Sequence, residues 1–448
     1  MAGALLTDLY EVNMAASYLA RGMVGPAVFS LFARRLPANR GFLVAAGLED
    51  CLRFLEGFSF EAEDLEYLRT IGYDDATLEA FSTLRFTGEV RAVPEGRITF
   101  AGEPLLEVTA PVAEAQLAET FLLNQITFQS TLATKAARCR IAAAGGIDLV
   151  DFSFRRTHGV DAGLAAARVS AIVGFAATSN VEAARRYGLR PAGTMAHSYI
   201  EAFPSEAEAF RSFAQDRPGG TTFLVDTYDT LAGVATAVDV IRELQLPGPL
   251  AVRLDSGDLA DLARRTRRFL DDAGLGEVRI FASGGLDEYE IERFVRESVP
   301  VDALGIGTQM GVSGDAPSLD SAYKLVAFGG RSVMKLSEGK VTLPGAKQVF
   351  RLPSPHGDVI ALRSEDPPPD AEPLLEVVMR GGKRERASDR LEDARARFEA
   401  DLERLPAEAL DLHEPRPPVV RCSPALEELA ARLASELRAA HRPPVHSP

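Results

Sequence analysis

The 448-residue chain is long enough for two or three domains with a large buried core, so it needs no disulfide or metal staple. Its formal net charge of −15 opposes binding to nucleic acid or to an anionic membrane. No segment approaches the roughly 18 apolar residues of a membrane span. Three widely spaced cysteines, Cys51, Cys139 and Cys422, fit neither a disulfide framework nor a zinc site. We expect a cytoplasmic protein with no nucleic-acid and no membrane partner.

Residues 1–140 predict an N-terminal α+β domain with a sandwich-like arrangement. The segments RFTGEVRAVPEG and EPLLEVTAP predict strands that end at Gly and Pro turns. Residues 113–144 repeat apolar side chains at helical spacing without Pro or Gly. This pattern predicts one long buried helix or two abutting ones.

Residues 141–330 predict an irregular parallel α/β barrel. Short apolar segments recur every 20 to 30 residues or so and mostly alternate with helical stretches. The seven segments are IDLVDFSF, VGFAAT, PAGTMA, TTFLVDT, LAVRLDS, VRIFASG and VDALGIG. Seven such units favour a closed or nearly closed barrel over an open doubly wound sheet.

Two further regions complete the prediction. Residues 331–385 predict strands and loops that pack back on the N-terminal domain, and residues 386–448 predict a C-terminal helical extension. Lys335, Lys340 and Lys347 stand among turn residues here. They indicate either a polyphosphate-binding surface or an ordinary solvated loop.

Polar residues follow the apolar segments where strand gives way to loop. They are Ser153, Thr194, Asp226, Asp255, Ser283 and Thr308. In an α/β barrel this end of the strands builds the active site. The sequence therefore predicts that these side chains share one site.

Two glycine-rich turns follow late strands of the predicted barrel. Glycines let backbone N–H groups approach an anion closely, and the Thr308 hydroxyl of GIGT adds a donor. The segment SGG, Ser283 to Gly285, follows the preceding strand. Both loops could cradle one phosphate, although a Gly-rich turn after a strand is also common without any ligand.

The segment VRLDSGD places Arg253 two residues before Asp255, on the same face of a strand. Carboxylates at a strand end suit ribose hydroxyls or Mg²⁺, and an inward arginine suits a carboxylate ligand. The structural alternatives are a buried Arg253–Asp255 ion pair and, for Asp258, a helix N-cap.

His197 stands in GTMAHSY, one of only six histidines. A lone histidine could be a core residue or a helix cap. At the strand ends, its imidazole could instead act as an acid, a base or a phosphoryl acceptor. In FSFRRTHG, Arg155 or Arg156 could bind a ligand while the other forms a structural ion pair.

Together these motifs resemble the nicotinate phosphoribosyltransferases, type II phosphoribosyltransferases of NAD salvage. The resemblance covers nearly the full length. It runs from LLTDLYEVNM and RRLPANRGFLVAAGLEDCL through FSFRRTHG, GFAATSN, GTMAHSY, VRLDSGDL, ASGGLDE and GIGT to YKLV and MKLSEGKVTLPGAKQVFR. It implies an ATP-coupled ligase that converts nicotinate and 5-phosphoribosyl 1-diphosphate to nicotinate mononucleotide and diphosphate. It also implies Mg²⁺ as cofactor and a homodimer with shared active sites.

The resemblance assigns roles to individual residues. His197 matches the phosphohistidine that couples ATP hydrolysis, and Asp255 matches a ribose or metal contact. The remaining residues are expected to bind substrate: Tyr10 from the neighbouring subunit, Arg155, Thr194, Ser198, Arg253, Ser283, Gly284, Gly285, Gly307 and Thr308. No protein residue is assigned as a direct metal ligand, and the C-terminal region has no cysteine cluster for a zinc module.

Three alternatives remain open from the sequence. Nicotinamide phosphoribosyltransferases would need a carboxylate near the pyridine pocket, whereas GTMAHS has Ser198 after the histidine and no nearby acid. Quinolinate phosphoribosyltransferases need no ATP-coupled histidine and are usually shorter. A noncatalytic nucleotide-binding barrel would not need Arg253, His197 and Thr308 together.

Overall fold

A computed structural model describes residues 3–337, 342–353 and 357–441. The chain forms two compact units, one running to Thr131 and resuming at Ser318, the other covering Leu132–Pro317. The predicted segments 331–385 and 386–448 thus fall in the same unit as most of 1–140, and the four-part division stays a prediction. Residues 442–448, the end of the predicted extension, lie outside the described residues.

The first part of the chain alternates helices with antiparallel strands. The helices are α1 Leu9–Ala20, α2 Leu48–Glu56, α3 Ala62–Thr70, α4 Asp75–Thr83, α5 Val112–Leu117 and α6 Glu119–Ala142. The strands are β1 Pro26–Arg35, β2 Leu43–Val44, β3 Glu89–Ala92, β4 Ile98–Thr99 and β5 Pro104–Pro111. The helical prediction for 113–144 is confirmed as two abutting helices, α5 and α6.

The second unit is built of strand–helix repeats. Its strands are β6 Asp148–Asp151, β7 Ala177–Thr178, β8 Thr222–Leu224, β9 Ala251–Leu254, β10 Arg279–Ser283 and β11 Ala303–Ile306. Its helices are α7 Val160–Ile172, α8 Val181–Tyr187, α9 His197–Glu201, α10 Glu206–Asp216, α11 Thr230–Leu244, α12 Leu259–Asp272, α13 Glu288–Arg296 and α14 Thr308–Gly311. A 3₁₀ turn covers Phe154–Arg156.

The six strands form one parallel sheet in the order β7-β6-β11-β10-β9-β8. Because β11 pairs with β6, the order closes back on the first strand as in a barrel. Among the described residues no pairing joins β7 to β8, so the barrel is incomplete. This confirms the α/β class and the irregular barrel.

The predicted strand PAGTMA is wrong. Residues 191–196 form only an isolated bridge, between Pro191 and Thr178. Pro191 has no N–H for a ladder and Gly193 has no side chain to pack, so this segment cannot sustain a strand. It lies in the chain between β7 and β8, where the sheet is open.

The rest of the chain returns to the first unit. Its strands are β12 Asp320–Phe328, β13 Arg331–Ser332, β14 Lys347–Arg351, β15 Asp358–Leu362, β16 Glu372–Pro373, β17 Glu376–Arg380, β18 Lys383–Arg384 and β19 Arg421–Cys422. Its helices are α15 Leu391–Arg404, α16 Ala407–Leu410 and α17 Pro424–Ala440.

These late strands complete sheets begun by the early ones. A seven-stranded antiparallel sheet has the order β13-β12-β1-β5-β3-β17-β18, and β16-β14-β15-β19 forms a second sheet. Stacked aromatic pairs fill the core of this unit, including Phe29 on Tyr323 and Phe60 on Phe81. Within the described ranges, no helix has both the length and the apolar character needed to cross a bilayer.

Candidate active site

Arg253 is the centre of a hydrogen-bonded cluster at the carboxyl ends of the parallel strands. Its Nε donates to Ser283 Oγ at 2.9 Å, Nη1 to Thr194 Oγ1 at 3.0 Å and Nη2 to Asp255 Oδ1 at 2.7 Å. Ser283 Oγ also donates to Asp255 Oδ1. Of the six predicted strand-end residues, Thr194, Asp255 and Ser283 bond Arg253, and the structural alternative of an Arg253–Asp255 ion pair is part of this cluster.

His197 is the first residue of α9 and lies beside this cluster. Its Nδ1 is 3.1 Å from Thr227 Oγ1, and its Nε2 is 4.0 Å from Asp255 Oδ2. The imidazole is 41% exposed, so it is neither a core histidine nor shielded from a ligand. When Nδ1 donates its proton to Thr227, Nε2 keeps its lone pair on the side of Asp255.

Asp226 fixes the backbone that carries Asp255. Its Oδ2 accepts from the Asp255 backbone N–H at 3.0 Å and from Ser256 Oγ at 2.5 Å. The end of β9 is therefore tied to the segment that follows β8. This tie sets the position of the Asp255 carboxylate between Arg253 and His197.

Glu206, at the start of α10, lies close enough to Asp226 for the Asp226 charge to affect its pKa. Burial, then Asp226 and Asp229, raise the pKa of Glu206 to about 7. Its Oε1 is buried without a hydrogen bond among the described residues. Burial and like charges both disfavour the carboxylate form, so this group titrates near neutral pH.

Phe152 places an aromatic face beside Arg253. The guanidinium carbon lies 5.3 Å from the ring centroid. Gly305 makes room for this ring, since an added Cβ would come within 2.7 Å of it. Gly305, the first glycine of GIGT, is therefore needed for packing against Phe152. The sequence motif suggested only a phosphate-binding role. Phe152 and Thr194 also line an open cavity of about 240 Å³, which extends to the first residues of β6, β9 and β10.

Asp151 holds the chain on both sides of Phe152. It is fully buried and accepts from Ser153 N at 2.9 Å, Ser153 Oγ at 2.6 Å and Thr178 Oγ1 at 2.7 Å. Burial raises the pKa of Asp151. The fixed loop makes Phe152 a rigid wall of the site.

The two glycine-rich turns lie at the ends of β10 and β11. Gly284 has φ of 109°, and an added Cβ would lie 2.4 Å from the Asp255 carbonyl oxygen. Only glycine allows this approach of the two loops. Gly285 follows with φ of 68°, and Gly307 leads into an exposed Thr308. The SGG turn therefore lies against Asp255, and Gly307 lies near the Phe152 carbonyl oxygen.

Several predicted site residues make no hydrogen bond to the Arg253 cluster within the described residues: Tyr10, Arg155, Ser198, Gly285, Gly307 and Thr308. Ser198 is exposed on the first turn of α9, and Arg155 is exposed in the 3₁₀ turn after β6. Neither makes a side-chain hydrogen bond to the described residues. Tyr10 is on α1, in the other unit, and is 47% exposed. Their roles in substrate binding stay predictions.

The structure decides two of the open alternatives. Asp258 is the N-cap of α12, accepting from Asp261 N at 3.1 Å. Lys347 is buried against Glu107, so it belongs to neither a polyphosphate surface nor a solvated loop. Lys340 lies outside the described residues.

Sequence reasoning assigned no role to Phe152, Thr227 or Glu206. Phe152 and Thr227 both directly follow residues at strand ends, which is the one signal that could have found them. Nothing in the local sequence marks Glu206. Among the described residues, no group of three or more His, Cys, Asp or Glu side chains could hold a metal unaided.

Three family models match the chain in succession. They describe the nicotinate phosphoribosyltransferase N-terminal domain over residues 5–127, the nicotinate phosphoribosyltransferase family over 147–322 and its C-terminal domain over 366–430. The chain belongs to the nicotinate phosphoribosyltransferase family. The family predicted from the sequence is thus confirmed, and with it the expectation of an enzyme of NAD salvage.

Curated relatives agree over most of the chain. Nicotinate phosphoribosyltransferase pncB2 of Mycobacterium tuberculosis is 49% identical over 419 residues, covering 92% of this chain and 89% of its own length. The Bacillus subtilis nicotinate phosphoribosyltransferase is 41% identical, covering 81% and 76%. The human enzyme is 33% identical and covers 96% of both chains.

Solved structures support the same fold. The crystal structure of human nicotinic acid phosphoribosyltransferase matches with a TM-score of 0.86 at 32% identity, covering 95% of this chain and 99% of its own. A nicotinate-nucleotide pyrophosphorylase from Pyrococcus furiosus matches with a TM-score of 0.74 at 25% identity, covering 90% and 95%. The barrel and the other unit therefore both have counterparts in this family.

Proposed function

We propose that this chain transfers the phosphoribosyl group of 5-phosphoribosyl 1-diphosphate to nicotinate. The nicotinate ring nitrogen would donate its lone pair to C1 of the ribose while the C1–O bond to diphosphate breaks. The products are nicotinate mononucleotide and diphosphate. The observation that carries the proposal is the Arg253 cluster, a cation held by three side chains beside an aromatic wall at the strand ends.

Arg253 would bind the nicotinate carboxylate. A guanidinium has five N–H donors, and the cluster engages three of them. Two remain for a carboxylate, which forms stronger, charge-assisted hydrogen bonds than an uncharged amide. Phe152 would pack against the pyridine ring. This arrangement favours nicotinate over nicotinamide.

The two glycine-rich turns would hold the phosphoribosyl group. Ser283, Gly284 and Gly285 lie on one side and Gly307 and Thr308 on the other, with backbone N–H and hydroxyl donors suited to a phosphate. Asp255 would accept a ribose hydroxyl. Arg155 and Ser198, both exposed, would complete the substrate contacts when ligands bind.

His197 would couple ATP hydrolysis to the transfer. Its Nε2 would attack the γ-phosphorus of ATP, forming a P–N bond while the P–O bond to ADP breaks, and water would later cleave the P–N bond to release phosphate. Thr227, 3.1 Å from Nδ1, would orient the ring for this attack. A phosphoryl group would bring negative charge close to Asp255, changing the electrostatics of the substrate site.

Mg²⁺ fits this donor set. Proteins bind Mg²⁺ through one or two carboxylates together with substrate phosphates, and Asp255 Oδ2 faces His197 at the strand ends. The ion would neutralise charge on the departing diphosphate. Asp255 and the substrate oxygens would hold it.

The active form would be a homodimer in which Tyr10 reaches the partner's site. An aromatic side chain nearly half exposed on a helix supports this role. The cysteines, free throughout the described part of the chain, support a cytoplasmic location.

The direct test mixes purified protein, 5-phosphoribosyl 1-diphosphate and Mg²⁺ with nicotinate or nicotinamide, with and without ATP, and follows mononucleotide by chromatography. We expect product from nicotinate, increased by ATP. If mononucleotide formed from nicotinamide but not from nicotinate, the assignment would be refuted.

A further inference from the structure

A buried ionic cluster in the second unit connects the two chain segments that follow the glycine-rich turns. Lys135, on α6, pairs with Glu288 and lies 2.8 Å from Asp315. Glu288 also accepts from Arg138 Nε at 2.8 Å. The side chains of Lys135, Arg138 and Glu288 are at most 3% exposed.

The two acids of this cluster belong to different loops. Glu288 begins α13, three residues after Gly285 of the SGG turn. Asp315 follows α14, the short helix that begins at Thr308. Lys135 therefore bridges the segments that follow β10 and β11, the same two segments that carry the proposed phosphate donors.

The path from Asp315 back to Thr308 is short and tightly packed. The Ser313 hydroxyl donates to the Ala316 carbonyl at 2.8 Å, and the Gly314 N–H donates to the Gln309 carbonyl at 3.0 Å. An added Cβ on Gly314 would lie 2.4 Å from Gln309 Oε1. A displacement of Asp315 would therefore move the residues next to Thr308.

A buried ion pair is a poor choice for stability alone. The cost of removing charges from water often exceeds what the pair returns, and apolar residues of similar size can replace it without loss. A charged bridge does fix the distance and direction between the groups that it joins.

We propose that Lys135 is a positioning residue that sets the spacing of the two glycine-rich turns for the phosphoribosyl group. This inference rests on the proposed function. Lys135 does not contact substrate, because its side chain is 1% exposed. It acts through Glu288 on one loop and through Asp315 on the other.

Two variants test the bridge. Asp315→Asn removes the negative charge from one of the two contacts of Lys135, at a side chain that is 23% exposed, so it should fold with a nearly unchanged Tm. Because small misplacements of binding groups are costly, we expect the KM for 5-phosphoribosyl 1-diphosphate to rise about tenfold. The KM for nicotinate should change less than about twofold, since the Arg253 cluster is retained. Lys135→Met should produce the same split, with a lower Tm.

The matched control is Lys347→Met, which removes another buried lysine paired with a buried glutamate, in the other unit. We expect it to lower Tm without a selective rise in the KM for 5-phosphoribosyl 1-diphosphate. In the double variant Lys135→Met/Asp315→Asn, the KM should match that of Lys135→Met, because Lys135→Met already removes the contact that Asp315→Asn weakens.

The proposal is overturned if Asp315→Asn and Lys135→Met leave that KM at the wild-type value, or raise both KM values equally. Should Lys135→Met not fold, Asp315→Asn alone decides. Wild-type protein is assayed in parallel. Wild type that forms no nicotinate mononucleotide contradicts the proposed function, whereas active wild type with unchanged variants contradicts the bridge only.

Discussion

The Arg253 guanidinium donates to Asp255 at 2.7 Å, and the other oxygen of the same carboxylate lies 4.0 Å from His197 Nε2. The Asp255 carboxylate thus lies between Arg253, which is proposed to bind nicotinate, and His197, which is proposed to carry the phosphoryl group. Asp226 holds its backbone N–H. A change of charge on His197 would therefore change the electrostatic potential at Asp255 without any movement of a loop.

We expect phosphorylation of His197 to depend on the contact between its Nδ1 and Thr227 Oγ1. We expect acid-labile ³²P label from γ-labelled ATP in wild type and none in His197→Ala. Loss of ring orientation in Thr227→Val should slow labelling about tenfold, while Thr227→Ser keeps the hydroxyl and the rate. His158, exposed in a loop, provides the control His158→Ala. Label that persists in His197→Ala would place the phosphoryl site elsewhere.

Tyr10 should act on the partner's site. Tyr10→Ala and Arg253→Ala chains, co-expressed with different tags and purified as the heterodimer, would contain one intact site. Because the two subunits of a symmetric dimer contribute equally, the heterodimer should regain about half of wild-type activity. Tyr67→Ala, at another exposed tyrosine, should be active on its own. A heterodimer as inactive as its parents would show that Tyr10 serves its own subunit.

Glu206 should make stability depend on pH around neutrality. Its folded-state pKa is about 7, above the usual 4.5, so the native state binds the extra proton in this window. Its contribution to stability is present below pH 4.5 and is lost as pH rises through 7. We expect the Tm of Glu206→Gln, relative to wild type, to increase between pH 5 and pH 8.

The control for this prediction is Glu182→Gln. Arg185 lowers the pKa of exposed Glu182 to about 2, so its contribution is lost only as pH falls towards 2. The Tm difference between Glu182→Gln and wild type should stay constant from pH 5 to pH 8. A constant difference for Glu206→Gln as well would refute the assigned titration.

Periodicity predicted the irregular α/β barrel, and strand-end position predicted that Thr194, Asp255 and Ser283 lie together. Arg253 and Asp255 share a face because side chains alternate along a strand, and this relation is local in sequence. The Lys135–Glu288 contact joins residues 153 positions apart, and no local pattern encodes it. The same limit applies to Gly305, whose role depends on Phe152 from another strand.

The wrong predictions concern segments whose composition fits both a buried element and a surface loop. PAGTMA has the apolar content of a strand, but the Thr194 side chain hydrogen-bonds Arg253, and only Pro191 makes a bridge. Lys347 stands among turn residues in the sequence, yet Glu107 pairs with it in the core. Tertiary partners decide such cases, and a single sequence does not name them.

The most direct test of nicotinate recognition is the ratio of kcat/KM for nicotinate to that for nicotinamide, in wild type and in Arg253→Lys. Lysine keeps the charge but loses the planar fork that binds a carboxylate. We expect the ratio to fall by about tenfold or more, the effect of a lost charge-assisted hydrogen bond. Arg211→Lys, which alters an exposed pair with Glu243, should leave it unchanged. An unchanged ratio in Arg253→Lys would contradict the account.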